Sequence, residues 1–172
     1  MEPILEFMFK DLKPTSVLEL GVGTGGFLTD IKKHMPSVVR FGGIDTSRDI
    51  EETKAKFPEQ KENFIYHNLY ERWPLEDKSY DVVYTVGVLM YILNPELVIR
   101  EALRVAKDYV IFAEPQCLWM SAFGDIKKFE NNNTKNTYGI VRNYRPILQG
   151  MGRTYEESDM GSKTIMKIKT NV

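Results

Sequence analysis

The stretch Ser16–Gly26, SVLELGVGTGG, limits the fold more than any other part of this chain. A compact, mostly apolar run reads as a buried strand. Gly21, Gly23, Gly25 and Gly26 crowd the next six positions, and a helical pattern opens at Phe27. Glycine between a strand and a helix permits a tight turn and lets a ligand approach the backbone closely. A bare turn needs no such density of glycine. The segment therefore predicts the first strand–loop–helix unit of an α/β sheet, with a nucleotide-like ligand beyond the C-terminal ends of the strands.

The rest of the chain continues that pattern. Ile4, Leu5, Met8, Phe9 and Leu12 fall at helical spacing, so a short amphipathic helix precedes the first strand and ends at Pro14. Strands are expected at 38–44, 63–67, 80–86 and 109–113. Helices are expected at 27–34, from the capping Ser47 to Phe57, and from Asn94-Pro95 to about Ala106. Alternation at this spacing implies parallel βαβ units. Residues 116–136 include a possible helical turn in WMSAFGDIKKF and a loop at NNNTKN. A helix over 138–149 and two closing strands, 153–158 and 163–169, complete the reading. The fold class is α/β: a doubly wound, Rossmann-like, seven-stranded and mostly parallel sheet with helices on both faces. The close-set final pair makes an antiparallel hairpin at one edge. No repeat or linker divides residues 1–172, which read as one domain.

The glycines alone leave the ligand open. Gly21, Gly23 and Gly26 also fit the G-x-G-x-x-G fingerprint of dinucleotide binding, and Asp45 follows near the position of a ribose-binding acid. A carboxylate there accepts from paired ribose hydroxyls whichever nucleotide is bound.

Six further matches, in order, narrow the choice. Glu19–Gly25, ELGVGTG, is similar to an E/D-x-G-x-G-x-G motif, and Gly43-Ile44-Asp45 to an acid closing the second strand. Asn68-Leu69 stands where Asp and an apolar residue are common. Trp73–Val83, WPLEDKSYDVV, resembles L-P-F-x-D-x-S-F-D-V-V. Val88–Ile92, VLMYI, resembles V-L-x-H-I, and Leu103-Arg104-Val105 resembles the end of the helix before the fifth strand. Over roughly residues 15–115 the chain thus resembles the class I S-adenosylmethionine-dependent methyltransferases, in their small-molecule branch. The resemblance implies S-adenosylmethionine as cofactor. It places the backbone of Gly21, Gly23 and Gly25 against the methionine part, with Glu19 near the amino group. Asp45 binds the ribose, Asn68 the adenine amine, and Leu69 packs on the ring. The chain at Thr85-Val86 passes beneath the cofactor, and the last strand of the seven runs antiparallel. Asn68 departs from the commoner Asp, and Met90-Tyr91 from a His-containing pair.

Direct displacement at a methyl group asks mainly for alignment and exclusion of water, and for a base only when the acceptor is protonated. Tyr91 after the fourth strand and Glu114 after the fifth are the candidates, since both fall on the ligand edge. His34 closes the first cofactor helix, and His67 lies toward the adenine side. A D/N-P-P-Y/F segment is missing after the fourth strand, where residues 85–89 read TVGVL, which argues against amide or nucleobase nitrogen as acceptor.

Composition bounds the partners. Net charge is −1, so no whole-chain field attracts nucleic acid or an anionic membrane. The balance is uneven, however: residues 1–115 carry 14 Lys/Arg against 19 Asp/Glu (−5), and residues 116–172 carry 9 against 5 (+4). The basic end suits an acidic substrate or simply a solvated face. One cysteine, Cys117, excludes an internal disulfide and a cysteine-based metal cluster. With no basic N-terminal region and no long apolar run, a cytoplasmic protein without a membrane span is expected. No metal is implied. The sequence therefore reads as a methyltransferase for a small molecule, a sugar or biosynthetic intermediate. A protein or RNA methyltransferase with an open site, a non-enzymatic cofactor-binding scaffold and an NAD-dependent oxidoreductase are the alternatives. A homodimer covering the site is compatible with this reading, though no residue argues for it.

Overall fold

The computed structural model describes residues 1–115, 127–130, 138–161 and 163–170. The first half alternates as expected: α1 (Pro3–Met8), β1 (Ser16–Leu20), α2 (Gly26–His34), β2 (Arg40–Asp45), α3 (Ile50–Lys56) and β3 (Phe64–Tyr66). Then follow β4 (Tyr80–Val86), α4 (Pro95–Val105), β5 (Ala106–Pro115), β6 (Lys127–Glu130), β7 (Tyr138–Val141), α5 (Arg145–Gly150), β8 (Glu156–Asp159) and β9 (Lys163–Lys169).

Seven strands form one sheet in the order β3-β2-β1-β4-β5-β9-β8. The β3, β2, β1, β4 and β5 neighbours pair in parallel, and β9 runs antiparallel to both β5 and β8. Strand order reverses between β1 and β4, which puts the switch-point crevice beyond the C-terminal ends of those two strands.

Helices cover both faces. Leu5, Met8, Leu28, Ile31 and Ile50 of α1–α3 pack with Val17, Val82, Tyr84 and Ile111 on one side. Val98, Ile99, Ala102 and Val105 of α4, with Leu148 of α5, pack with Leu18, Val83, Val110, Phe112 and Ile168 on the other. β1 is buried along its whole length, so it reads as a continuous apolar run rather than an alternation. Asp81 pins the start of β1 to β4: its Oδ2 accepts from the Thr15 amide and hydroxyl, both at 2.7 Å, and from the Ser16 amide.

Four expectations need correcting. The helix expected over 138–149 is instead strand β7 followed by α5. Tyr138–Val141 pairs with Lys127–Glu130 as a separate two-stranded ribbon. Pro146, with its fixed φ, marks the first turn of α5, and Asn143 Oδ1 accepts from the Arg145 amide just before it. The helix expected from Ser47 begins at Ile50, because Ser47 Oγ accepts from the Asp49 amide and the Ser47 amide donates to Asp45 Oδ1. The strand expected at 153–158 runs from Glu156 to Asp159 and is largely exposed, as a charged edge strand that resists further pairing. Of the segment 119–129, expected to hold a helical turn, Lys127–Phe129 belong to strand β6 instead, while 119–126, Cys117 and the expected loop at 131–136 lie outside the described residues.

Candidate functional site

The loop between β1 and α2 is shaped by two glycines. Gly21 has φ +68°, and a Cβ there would stand 2.5 Å from Val88 Cγ2. Gly25 caps α2 at φ +73°, and its Cβ would meet Thr53 Oγ1 at 2.8 Å. Any side chain at either position therefore meets left-handed strain and a collision together. Hydrogen bonds fix the loop to its neighbours. The Gly21 amide donates to Ile44 O (2.8 Å), the Gly23 amide to Asp45 Oδ2 (2.6 Å), and Thr53 Oγ1 to Gly23 O (2.8 Å). Gly23 and Gly25 thus hold the shape of the loop, while Gly21, Val22, Thr24 and Gly26 line the space beside it.

Two clefts flank this loop. One, of about 440 Å³, is walled by Glu2, Glu19, Thr24, Phe27 and Asp30. The other, of about 510 Å³, is walled by Asp45, Asn68, Leu69, Tyr70, Gly87 and Tyr91. Gly21 and Val86 line both, so the two clefts meet over the switch point.

The first cleft is acidic. Glu19 is 3% exposed, and Tyr84 Oη donates to its Oε2 at 2.9 Å. Burial pushes the Glu19 carboxyl up to about 8; the Tyr84 hydrogen bond pulls it down, and the charge of Asp45 adds to the rise. Burial, together with the Glu19 charge and hydrogen bond, drives the Tyr84 hydroxyl well above its usual value. Asp30 moves the other way: the Glu2 amide that it accepts holds its carboxyl below the ordinary range, and His34 adds to this. A cation entering this cleft would meet three carboxyl groups.

The second cleft mixes an acid with apolar surface. Asp45 accepts one amide on each oxygen, from Gly23 and from Ser47 (2.7 Å), which leaves each oxygen a further acceptor site toward the cleft. Leu69 is buried, 7% exposed, beneath an exposed turn in which Asn68 Oδ1 accepts from the Tyr70 amide and Asn68 Nδ2 donates to Glu71. Tyr91 closes a 3₁₀ turn, Leu89–Tyr91, and stays 40% exposed at the cleft wall.

The structure thus brings Glu19 and Gly21 to one cleft, and Gly21, Asp45, Asn68, Leu69 and Tyr91 to the other. Four expected residues line neither cleft: Gly23 and Gly25, which hold the loop's shape, and Thr85 and Glu114. Thr85 is fully buried and in register with Leu20 and Phe112, on the α4 face of the sheet. The next residue, Val86, takes the cleft position because strand side chains alternate. Glu114 is 2% exposed and faces the turn after β4 from below. Its Oε1 accepts from the Val88 and Leu89 amides (3.1 Å each) and its Oε2 from the Met90 amide (3.2 Å). Burial raises its carboxyl to about 7, against the pull of those amides and of Lys163. Its geometry is that of a clamp on the Tyr91 turn. Neither histidine lines a cleft: His34 pairs with Asp30, and His67 Nε2 meets Arg72 O. Sequence reading missed Glu2 and Asp30. Asp30 carries a weak signal, since it sits one turn into the helix after the glycine loop. Glu2 carries none.

Comparison with known proteins agrees with this geometry. A family described as a methyltransferase domain matches residues 18–113. A sarcosine/dimethylglycine N-methyltransferase of Aphanothece halophytica is 26% identical over 153 residues, which cover 84% of this chain and 54% of that protein. The chain thus spans about half the length of this curated relative. An S-adenosylmethionine-dependent methyltransferase from Mesorhizobium loti superposes with a TM-score of 0.72 at 15% identity, covering 97% of this chain and 96% of the other. One from Aquifex aeolicus gives 0.65 at 18% identity, covering 98% and 94%. Among the described residues no helix is long and apolar enough to cross a membrane. Glycine loop, the acid that closes β2, strand order and family match converge: the chain belongs to the methyltransferase-domain family, on the class I fold of S-adenosylmethionine-dependent methyltransferases.

Proposed function

We propose that this protein transfers a methyl group from S-adenosylmethionine to a small-molecule acceptor. The observation that carries the reading is the pair of clefts meeting at Gly21 and Val86, acidic on one side and part apolar on the other. The residues fit the cofactor's parts. Glu19, with Asp30 and Glu2, suits an ammonium; Asp45 suits paired hydroxyls; Leu69 and the Asn68 turn suit a flat, polar-edged ring. When bound, the cofactor supplies an electrophilic methyl group on a sulfonium.

The protein's own part is alignment. Gly21 lets the loop approach closely, Asp45 sets the ribose end, and Glu19 sets the amino end. These fixed ends hold the reacting centre over Val86. Glu114 fixes the turn that carries Val88 and Tyr91 beside it. Tyr91, at the wall of the second cleft, is the residue we assign, in its deprotonated form, to take a proton from an acceptor hydroxyl or ammonium. A small acceptor also agrees with the matched relative, whose name gives sarcosine and dimethylglycine as its substrates.

The test is turnover. The purified protein is incubated with isotope-labelled S-adenosylmethionine and, separately, with small amines, amino acids, sugars, a peptide mixture and RNA. Methylation of a small molecule with peptide and RNA unlabelled supports the reading. Labelled RNA or peptide alone would replace it with a macromolecular acceptor.

A further inference from the structure

One cation reaches the site without belonging to either cleft's wall. Lys163 opens β9, across β5 from Pro115, on the sheet's ligand edge. Its Nζ stands 3.2 Å from where a Cβ on Gly87 would lie. Gly87 has φ +68°, follows β4 directly, and lines the cleft shared with Asp45 and Tyr91. Gly87 thus leaves the space that the lysine ammonium fills, hard against the point where the two clefts meet.

The charges around it make this placement informative. The described residues lining the two clefts include Glu2, Glu19, Asp30 and Asp45, and no lysine or arginine. Among the described residues, no carboxylate lies within ion-pair distance of Lys163. Glu114 is the acid that feels it, and that carboxyl is already engaged by three amides. An ammonium held beside the position of a sulfonium repels it. An anionic group on a neighbouring molecule would offset that repulsion and give Lys163 a partner. The cofactor's own carboxylate is one source, but Lys163 stands at Gly87, which does not line the acidic cleft suited to the amino-acid end. The acceptor is the other source.

We propose that Lys163 is a specificity residue that recognises a carboxylate on the acceptor, which makes the substrate class small carboxylic acids. The proposal rests on the methyl-transfer reading above and narrows it. It also gives a use to part of the basic charge of residues 116–172.

The experiment compares wild type, Lys163→Met and Lys163→Arg, each saturated with S-adenosylhomocysteine. Binding of sarcosine, glycolate and a set of small carboxylic acids is measured by NMR titration, each acid beside its uncharged amide. The expected result is that at least one acid binds about tenfold or more tightly than its amide. Lys163→Met removes that preference, Lys163→Arg keeps most of it, and all three bind S-adenosylhomocysteine alike. Three results would overturn the inference. One is wild type showing no acid preferred over its amide, and a second is Lys163→Met keeping the preference. The third is Lys163→Met losing affinity for S-adenosylhomocysteine itself, which would give the lysine to the cofactor. Intact S-adenosylhomocysteine binding without a carboxylate preference would sink this inference alone, whereas absent S-adenosylhomocysteine binding would sink the reading beneath it.

Discussion

At the scale of single residues, Glu19 gives the site its clearest pH signature. Its folded value of about 8 lies above the ordinary 4.5, so between these limits the folded chain holds a proton that the unfolded chain has lost. The corresponding stability is complete below pH 4.5 and disappears as pH rises through 8. Glu114, raised to about 7, acts in the same direction over a narrower window. Glu19→Gln is therefore expected to flatten the fall of Tm between pH 5 and 8, as read by thermal melts across that range. Ligand binding runs the opposite way. With the ammonium placed at Glu19 as proposed, ionisation of that carboxyl strengthens the attraction, so wild-type affinity for S-adenosylhomocysteine should rise toward pH 8, and in Glu19→Gln it should be nearly flat. At Tyr91 the expectation is kinetic. If its phenolate takes the acceptor's proton and becomes the phenol, Tyr91→Phe lowers kcat by about a hundredfold while leaving cofactor affinity unchanged. An unchanged kcat would reduce Tyr91 to a wall of the cleft.

At the scale of elements, function is set by how strand ends are clamped to the turns that follow them. Glu114 at the end of β5 satisfies three amides of the Val88–Met90 turn after β4. Glu114→Leu would bury those donors unpaired, at about 1–3 kcal/mol for each one that finds no water. The variant should melt several degrees lower and loosen Tyr91, whereas Glu114→Gln, which keeps an acceptor, should lose much less. Arg104 of α4 plays a similar part below the sheet. It donates to Glu101, to Asp77, and to the carbonyls of Trp73 and Leu75, holding the 73–78 segment against the helix. These clamps explain what the sequence could and could not reveal. β1 and β4 were legible to the residue because apolar runs beside glycine, or beside a turn, mark both their ends. The Tyr138–Val141 strand was not, because Tyr138, Val141, Tyr144 and Leu148 also fall near helical spacing, and only Pro146 signals where the true helix starts. The role of Glu114 was equally hidden. Its partners are backbone amides 24 to 26 residues earlier, and nothing in residue type announces them.

At the scale of the whole molecule, one sheet carries both cores and the site. Helices α1–α3 on one face and α4–α5 on the other share β1, β4 and β5, so neither face can lose its packing alone. The chain should therefore unfold in urea in a single transition, with far-ultraviolet circular dichroism and tryptophan fluorescence coinciding. Trp73 is buried in the α4-side core and reports on it directly. Separated midpoints would divide the chain into two cooperative units. The overall topology was readable because alternation of strands and helices leaves few ways to connect them. The approach of Lys163 to Gly87 was not, because it depends on β9 inserting antiparallel beside β5 and bringing residues 76 positions apart to one edge.

What occupies the two clefts is tested most directly by calorimetric titration of S-adenosylmethionine, S-adenosylhomocysteine and NAD into wild type and Asp45→Ala. The expected result is binding of both adenosyl ligands in about the micromolar range and weakening of about tenfold or more in Asp45→Ala, with NAD silent. Binding of NAD alone, or adenosyl affinity indifferent to Asp45, would contradict the assignment of the clefts.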